Sequence, residues 1–220
     1  MAREMEVLED LREGIDTFVE RWQKIQRSSV KSVQAVTNTL VQLEHLDGPL
    51  GKLEGFQDIR KKAKGKLLVN LYDKLVPALE KSIKQFTRLM QMFEDLRQKV
   101  STIQTFSESL RGSIEESPQL EDLVGFLDLI ILSIQDILSM YESEFLVKLT
   151  IFKDLEESSL EVAVVSNYLT IWLAQPNIEK QALEKQLEDL DEHFELLRDV
   201  FEGKTGIQIP DVYRQTSTRF

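Results

Sequence analysis

The chain has 220 residues, of which 42% are apolar, and its formal net charge is −11. This length suffices for a hydrophobic core in one large domain or two small ones, and the acidic charge argues against the whole chain wrapping nucleic acid. The sequence contains no cysteine, only nine glycines and five prolines, which excludes disulfides and Cys-based zinc sites and is typical of long helices.

Apolar residues spaced three and four apart predict a first long helix over residues 5–46. They run from Leu8 through Trp22 to Leu43 and form a single stripe. A stripe of this length needs a partner helix that is equally long. The following Asp47-Gly48-Pro49 predicts a turn.

A second helix is predicted over residues 58–106, with Asp58 near its N-cap. Pro77 interrupts this pattern, and a proline inside a helix costs about 3 kcal/mol unless the helix bends or begins there. We therefore expect a kink or short break near residues 74–77. The polar stretch from Ser107 to Pro118 predicts the longest connection.

Three further helices are predicted over residues 118–156, 160–175 and 178–202, followed by a flexible tail over residues 204–220. The section from Leu127 to Leu132 is apolar almost all round, so we expect it at the centre of the bundle. Pro176 stops the fourth helix and Gly203 the fifth. The predicted fold is an all-α antiparallel bundle of about five helices without a sheet, with residues 1–203 as one domain.

The sequence offers no pattern from which a catalytic, cofactor or metal site can be predicted. His45 and His193 lie on different predicted helices, and neither has a companion three or four residues away. The acidic residues at 188–195 are typical of a solvated helix face. Gly203-Lys204-Thr205 resembles the end of a phosphate-binding loop, but Arg198 stands where the first glycine belongs. We expect a protein that is not an enzyme and has no small-molecule substrate.

We also expect an intracellular protein without a membrane anchor. The N-terminus turns charged at once and lacks the apolar run of a signal peptide. The most apolar stretch, Leu129 to Gln135, is too short to span a bilayer.

Two sequence features have two interpretations each. The first is a basic patch within an acidic chain, formed by Arg60, Lys61, Lys62, Lys64 and Lys66. It is compatible with a nuclear-import or RNA-facing surface, or with a solubilising helix start that pairs with acidic neighbours. The second is Trp172 beside Tyr168, which is compatible with an interface anchor or with burial at the end of the bundle.

Two segments resemble the C-terminal half of the cyclin-dependent-kinase-interacting protein family. They read Tyr141-x3-Phe145-Leu146-x-Lys148-x-Thr150-x2-Lys153-Asp154-Leu155 and Tyr168-Leu169-x2-Trp172-Leu173-x-Gln175-Pro176-x-Ile178-Glu179. Phe56-x-Asp58-Ile59-Arg60, the basic patch and the stretch from Leu68 to Leu75 resemble a related all-helical group, the AAA-ATPase-interacting ribosome maturation factor family.

The resemblance implies a non-catalytic adaptor in the nucleus and cytoplasm. Its implied partners are AAA-ATPase subunits of the spermatogenesis-associated kind, a homologous helical subunit and the pre-ribosomal large subunit. The resemblance also implies a role in DNA replication, through protein turnover at replication forks. The partner-binding residues that it implies are Tyr168, Leu169, Trp172, Leu173, Gln175, Pro176, Lys148 and Lys153. The long stripes by themselves are also compatible with a helical scaffold or tethering subunit that pairs with another helical chain as a coiled coil.

Overall fold

The computed structural model describes residues 2–48, 55–115, 120–156, 161–202 and 204. All regular elements within these ranges are helical, which confirms the predicted all-α class. The helices are α1 (Ala2–Asp47), α2 (Gln57–Asn70), α3 (Val76–Arg111), α4 (Leu120–Glu156), α5 (Val162–Ala174) and α6 (Lys180–Phe201). The predictions for Pro49, Pro118, Gly203 and residues 205–220 lie outside the described residues.

The disturbance predicted near Pro77 is a π-helical turn rather than a break. The turn covers Leu71–Leu75 and joins α2 directly to α3. It is closed by the amide of Val76, which donates to the carbonyl of Leu71 five residues earlier. In an α-helix the ring of Pro77 would clash with the carbonyl of Asp73, and the extra residue of a π turn gives the chain room there.

The second helix extends beyond its predicted end. Ser107 was expected to begin a loop, but α3 continues to Arg111. Ser107 is buried and its hydroxyl donates to Asp128 on α4 at 2.8 Å, while Leu110 is also buried. Burial of these two side chains outweighs the weak helix preference of the serine-rich sequence.

The chain divides into two compact units. Unit 1 consists of Met1–Glu20, Met90–Tyr141 and Ile178–Phe220. In its core the ring of Phe18 lies 5.1 Å from that of Tyr141, edge-on, and 6.1 Å from that of Phe93. Gly14 allows close packing, because a Cβ there would lie 2.6 Å from Cδ2 of Leu96. Each large side chain buried in this way contributes about 1.5–3 kcal/mol.

Only part of the section from Leu127 to Leu132 lies in the core of unit 1. Leu127 and Ile130 are fully buried, but Leu129 is 47% exposed and Leu132 57% exposed. The expectation that this section is central is therefore wrong for one face of α4. A continuous apolar run does not specify which side of a helix receives neighbours.

Helix α4 is long and apolar enough to cross a membrane when judged by length and composition alone. Its most apolar 18-residue window has a mean hydropathy of 1.9, and 44% of that window is buried inside the protein. The core helix of a soluble protein meets the same criterion, so this finding is weak evidence. Leu129 to Gln135, the stretch predicted to be too short to span a bilayer, is only one part of this helix.

Unit 2 consists of Arg21–Leu89 and Glu142–Asn177. Trp22 is buried in its core, with its ring 4.6 Å from the ring of Phe86. Helix α5 is apolar in composition but buries only Val165 and Trp172. Polar contacts therefore supply much of what fixes the position of α5.

Candidate interaction site

The two segments on which the family resemblance rests contact each other through residues that belong to unit 2. The hydroxyl of Tyr168 donates to the carboxylate of Asp154. Further along, the ammonium of Lys148 donates to the carbonyl of Trp172 at 3.3 Å. Tyr168 contacts the later of the two α4 residues and Trp172 the earlier one, so the chain runs in opposite directions along the two helices. Helices α4 and α5 are therefore antiparallel. Residues 144–155 of α4 and residues 168–177 thus form one structural unit, which we call the corner.

Lys148 is the most unusual side chain of this corner, because it is charged and fully buried. Its Nζ lies 3.0 Å from Oε1 of Glu144, which is also fully buried. The same ammonium lies 4.7 Å from the ring centre of Trp172 and 5.9 Å from that of Phe86. A carboxylate, a carbonyl and two aromatic faces thus surround one charge, as burial of a cation requires.

Burial lowers the pKa of Lys148, and the negative charge and hydrogen bond of Glu144 act in the opposite direction. Glu144 has partners of its own. Its Oε2 accepts hydrogen bonds from the backbone amide of Asn177 at 3.2 Å and from Nδ2 of the same residue at 3.3 Å. These bonds attach the segment after α5 to α4.

The indole of Trp172 is held by α1. Its Nε1 donates to the hydroxyl of Ser29 at 3.0 Å, and that hydroxyl donates to the carbonyl of Gln26 at 2.8 Å. Nε2 of Gln26 donates to the carbonyl of Trp172 at 2.7 Å, so this carbonyl has two donors. We call Gln26, Ser29, Glu144, Lys148 and Trp172 the polar cluster.

Gln175 ends α5 in a left-handed conformation with φ of 49°. Its amide donates to the carbonyl of Ile171 at 3.1 Å, and its side-chain oxygen accepts a hydrogen bond from Nε1 of Trp22 at 2.9 Å. Pro176 cannot continue the helix. A left-handed residue other than glycine or asparagine is uncommon, and the bond from Trp22 helps to hold it.

The predicted partner-binding residues have different degrees of exposure. Trp172 and Lys148 are fully buried, so they build the corner and are not surface contacts; for Trp172 the burial alternative is the correct one. Tyr168, Leu169 and Gln175 are half-buried, whereas Lys153, Leu173 and Pro176 are exposed. We call Lys153, Leu173 and Pro176 the exposed rim of the corner.

The basic patch is divided between two environments. Arg60 and Lys64 form ion pairs with Asp47 at the end of α1, at 2.9 Å and 2.7 Å. Lys61, Lys62 and Lys66 are exposed. The interpretation of pairing with acidic neighbours therefore holds for two of the five residues.

Sequence reasoning missed Gln26 and Glu144. A signal for Glu144 was present, because it stands four residues before Lys148 in a strongly apolar part of α4. A signal for Gln26 was also present, because it lies within the apolar stripe of α1, four residues after Trp22 and seven before Val33. Its partners come from α5, more than 140 positions away in sequence.

In the described ranges, no group of three or more His, Asp or Glu residues is placed to hold a metal ion. A cleft of about 320 Å³ in unit 1 is lined by residues of α1 and α6. Arg12 at this cleft is paired with Asp191 at 2.9 Å, and burial, then the charge of Asp191, raises the pKa of Asp16.

The chain matches no protein-family model and no curated protein sequence. The residues quoted above therefore carry the family resemblance by themselves.

Proposed function

We propose that this chain is a non-catalytic adaptor subunit of an AAA-ATPase complex that acts in maturation of the large ribosomal subunit and in replication-linked protein turnover. The observation that supports the proposal is the pairing of the two resemblance segments, in which Lys148 contacts Trp172 and Asp154 contacts Tyr168. The residues on which the resemblance to a family of adaptors rests therefore contact one another, and this contact is what supports the proposal.

The polar cluster gives this corner a defined geometry. An apolar α5 without it could slide along α4, because dispersion and burial have little directionality. The bonds of Lys148 and Glu144 fit one register only, which is the best-attested use of buried charged groups. The exposed rim is then presented to a partner in a fixed arrangement, with Leu173 as its largest apolar side chain, 48% exposed.

The proposal is tested by capture of the tagged protein from native lysate, followed by mass spectrometry. We expect AAA-ATPase subunits together with precursors of the large ribosomal subunit. Leu173→Glu, which alters the rim without touching the core, should reduce recovery of the ATPase. Leu196→Glu on α6 is the control, since Leu196 is similarly exposed in unit 1. Recovery of the tagged chain without any ATPase would refute the adaptor function.

A helical scaffold or tethering subunit is the second candidate function, and one observation favours it. Leu129 and Leu132 form an exposed apolar pair on α4, as expected of a helix that pairs with another chain. Light scattering on the purified protein separates the two candidates. A stable dimer that Leu129→Lys with Leu132→Lys converts to a monomer would favour the scaffold, whereas a monomer would count against self-pairing.

A further inference from the structure

Helix α2 contributes unusually little to the core of unit 2. None of the side chains of Gln57–Asn70 is buried. Its outer side carries Ile59, Lys62, Lys66 and Val69, spaced three, four and three residues apart, and we call these four residues the α2 stripe. Ile59 is 65% exposed and Val69 59% exposed. The stripe therefore combines two exposed apolar side chains with two exposed cations.

The attachment of α2 to α1 leaves this stripe accessible. Arg60 and Lys64 point toward Asp47, with which they form ion pairs. Ile59, Lys62 and Lys66 lie on other sides of the helix, because each residue advances by about 100°. Arg60 and Lys64, which form ion pairs within the protein, are thus on a different side of α2 from the two lysines of the stripe.

We propose that the α2 stripe docks an acidic amphipathic helix of a partner protein. The inference rests on the proposed function, an adaptor that binds protein chains, and it adds the chemistry of one bound segment. Spacing of three, four and three residues is the spacing with which one helix presents a seam to another. Ile59 and Val69 pack against apolar residues of the partner, and Lys62 and Lys66 pair with its carboxylates.

Charge complementarity selects an acidic partner. The chain as a whole carries a net charge of −11, yet residues 60–66 contain five cations and no acid. Two of these cations are paired with Asp47, and the other three, Lys61, Lys62 and Lys66, are exposed. An acidic helix is attracted by this local surface over a distance of about 8 Å at physiological salt, beyond which the remaining acidic surface is screened.

RNA and membranes fit the stripe less well. RNA would engage the lysines but leave Ile59 and Val69 without a role, and Arg60, the arginine of the patch, is already paired with Asp47. A helix that lies in a membrane surface separates its apolar face from its cations. On the stripe the apolar residues and the lysines share one line.

The probe for the test is a labelled synthetic helix of four heptads, with leucine at the core positions and glutamate at the flanking positions. Its control has lysine in place of glutamate. Fluorescence anisotropy with the full chain should show saturable binding of the glutamate peptide and no binding of the lysine peptide. Lys62→Glu with Lys66→Glu should weaken this binding by about tenfold or more and create binding of the lysine peptide.

Two further variants separate the contributions. Ile59→Ala with Val69→Ala should weaken binding of the glutamate peptide by about tenfold, because it removes apolar contact but no charge. Lys24→Glu with Lys31→Glu changes the net charge as much as the α2 variant does, at exposed positions of α1. Affinity within about twofold of the wild type is expected for this control.

Several results would overturn the inference. One is equal binding of the glutamate peptide by the wild type and the Lys62→Glu/Lys66→Glu variant, or no binding at all. Another is binding of a single-stranded uridine oligomer, or of phosphatidylserine vesicles, that depends on Lys62 and Lys66 when the glutamate peptide does not bind. Failure of the wild type to recover an ATPase from lysate refutes the adaptor function instead and leaves the peptide result as it stands.

Discussion

Replacing Lys148 by methionine is expected to lower the free energy of unfolding of unit 2 by about 3–5 kcal/mol, the usual cost of removing one partner of a buried ion pair. Lys148 and Glu144 are both fully buried and 3.0 Å apart. Methionine keeps most of the side-chain volume, so the loss does not come from a cavity. It comes from the carboxylate of Glu144, which is left in a site without a counter-charge.

The converse change, Glu144→Gln, leaves the ammonium of Lys148 buried without its carboxylate and should cost a similar amount. The double variant contains no lone charge. Its loss should therefore be smaller than the sum of the two single losses by about 0.5–3 kcal/mol, the range measured for coupled neighbours. A double loss equal to the sum would mean that the two groups do not act as a pair.

The pH dependence of Glu144→Gln tests the same reasoning. Burial lowers the pKa of Lys148 and Glu144 raises it, so removal of Glu144 should lower this pKa further in the folded state. Between that value and the unfolded pKa of about 10.4, the unfolded chain binds more protons than the folded chain, and stability rises with pH. The deficit of Glu144→Gln relative to the wild type should therefore narrow as the pH rises toward the unfolded pKa.

Guanidinium unfolding followed by tryptophan fluorescence is the assay. The chain has two tryptophans, and both are buried in unit 2, so the signal reports on the unit that contains the pair. Lys84→Met is the matched control, because Glu80 and Lys84 form an ion pair with the same spacing on an exposed face of α3. It should change stability by less than about 0.5 kcal/mol. A Lys148→Met variant within 1 kcal/mol of the wild type, on the order of a surface pair, would refute the reasoning.

Three further predictions concern Leu127, with Leu132 as its control, and Gly65 and Asp47. Leu127→Asp should abolish folding of unit 1, because the new charge would be buried without a partner. Leu132→Asp lies on the exposed face of α4 and should melt as cooperatively as the wild type. Thermal melting followed by circular dichroism measures both. Gly65→Ala should stabilise α2 by about 0.5–1 kcal/mol in hydrogen exchange, since a Cβ there meets no atom within 4 Å. Hydrogen bonds from Lys64 and Arg60 hold the pKa of Asp47 below its usual value. The stabilisation they give is present above the unfolded pKa of Asp47 and is lost as the pH falls. In the wild type the amides of α2 should therefore lose protection from hydrogen exchange between about pH 5 and about pH 2, and in Asp47→Asn this loss should be smaller.

The helices themselves follow from local features of the sequence. The stripe from Leu8 to Leu43 has a period that only a helix can place on one side, and α1 covers it. Pro77 disturbs its helix near the predicted position, because the missing amide and the ring clash act within one turn. Features that depend on a few neighbouring residues can be predicted without knowledge of the rest of the chain.

The environment of individual side chains was decided only by the tertiary structure. Trp172 is equally suited to a surface anchor and to a core, and the hydroxyl of Ser29 and the side-chain amide of Gln26, both on α1, determine which of these it is. The charge of Lys148 suggests exposure until Glu144 and two aromatic rings enclose it. The basic patch is divided because Asp47 lies opposite only two of its members. Burial and charge pairing depend on residues brought together from distant parts of the chain, and a local pattern carries no information about those neighbours.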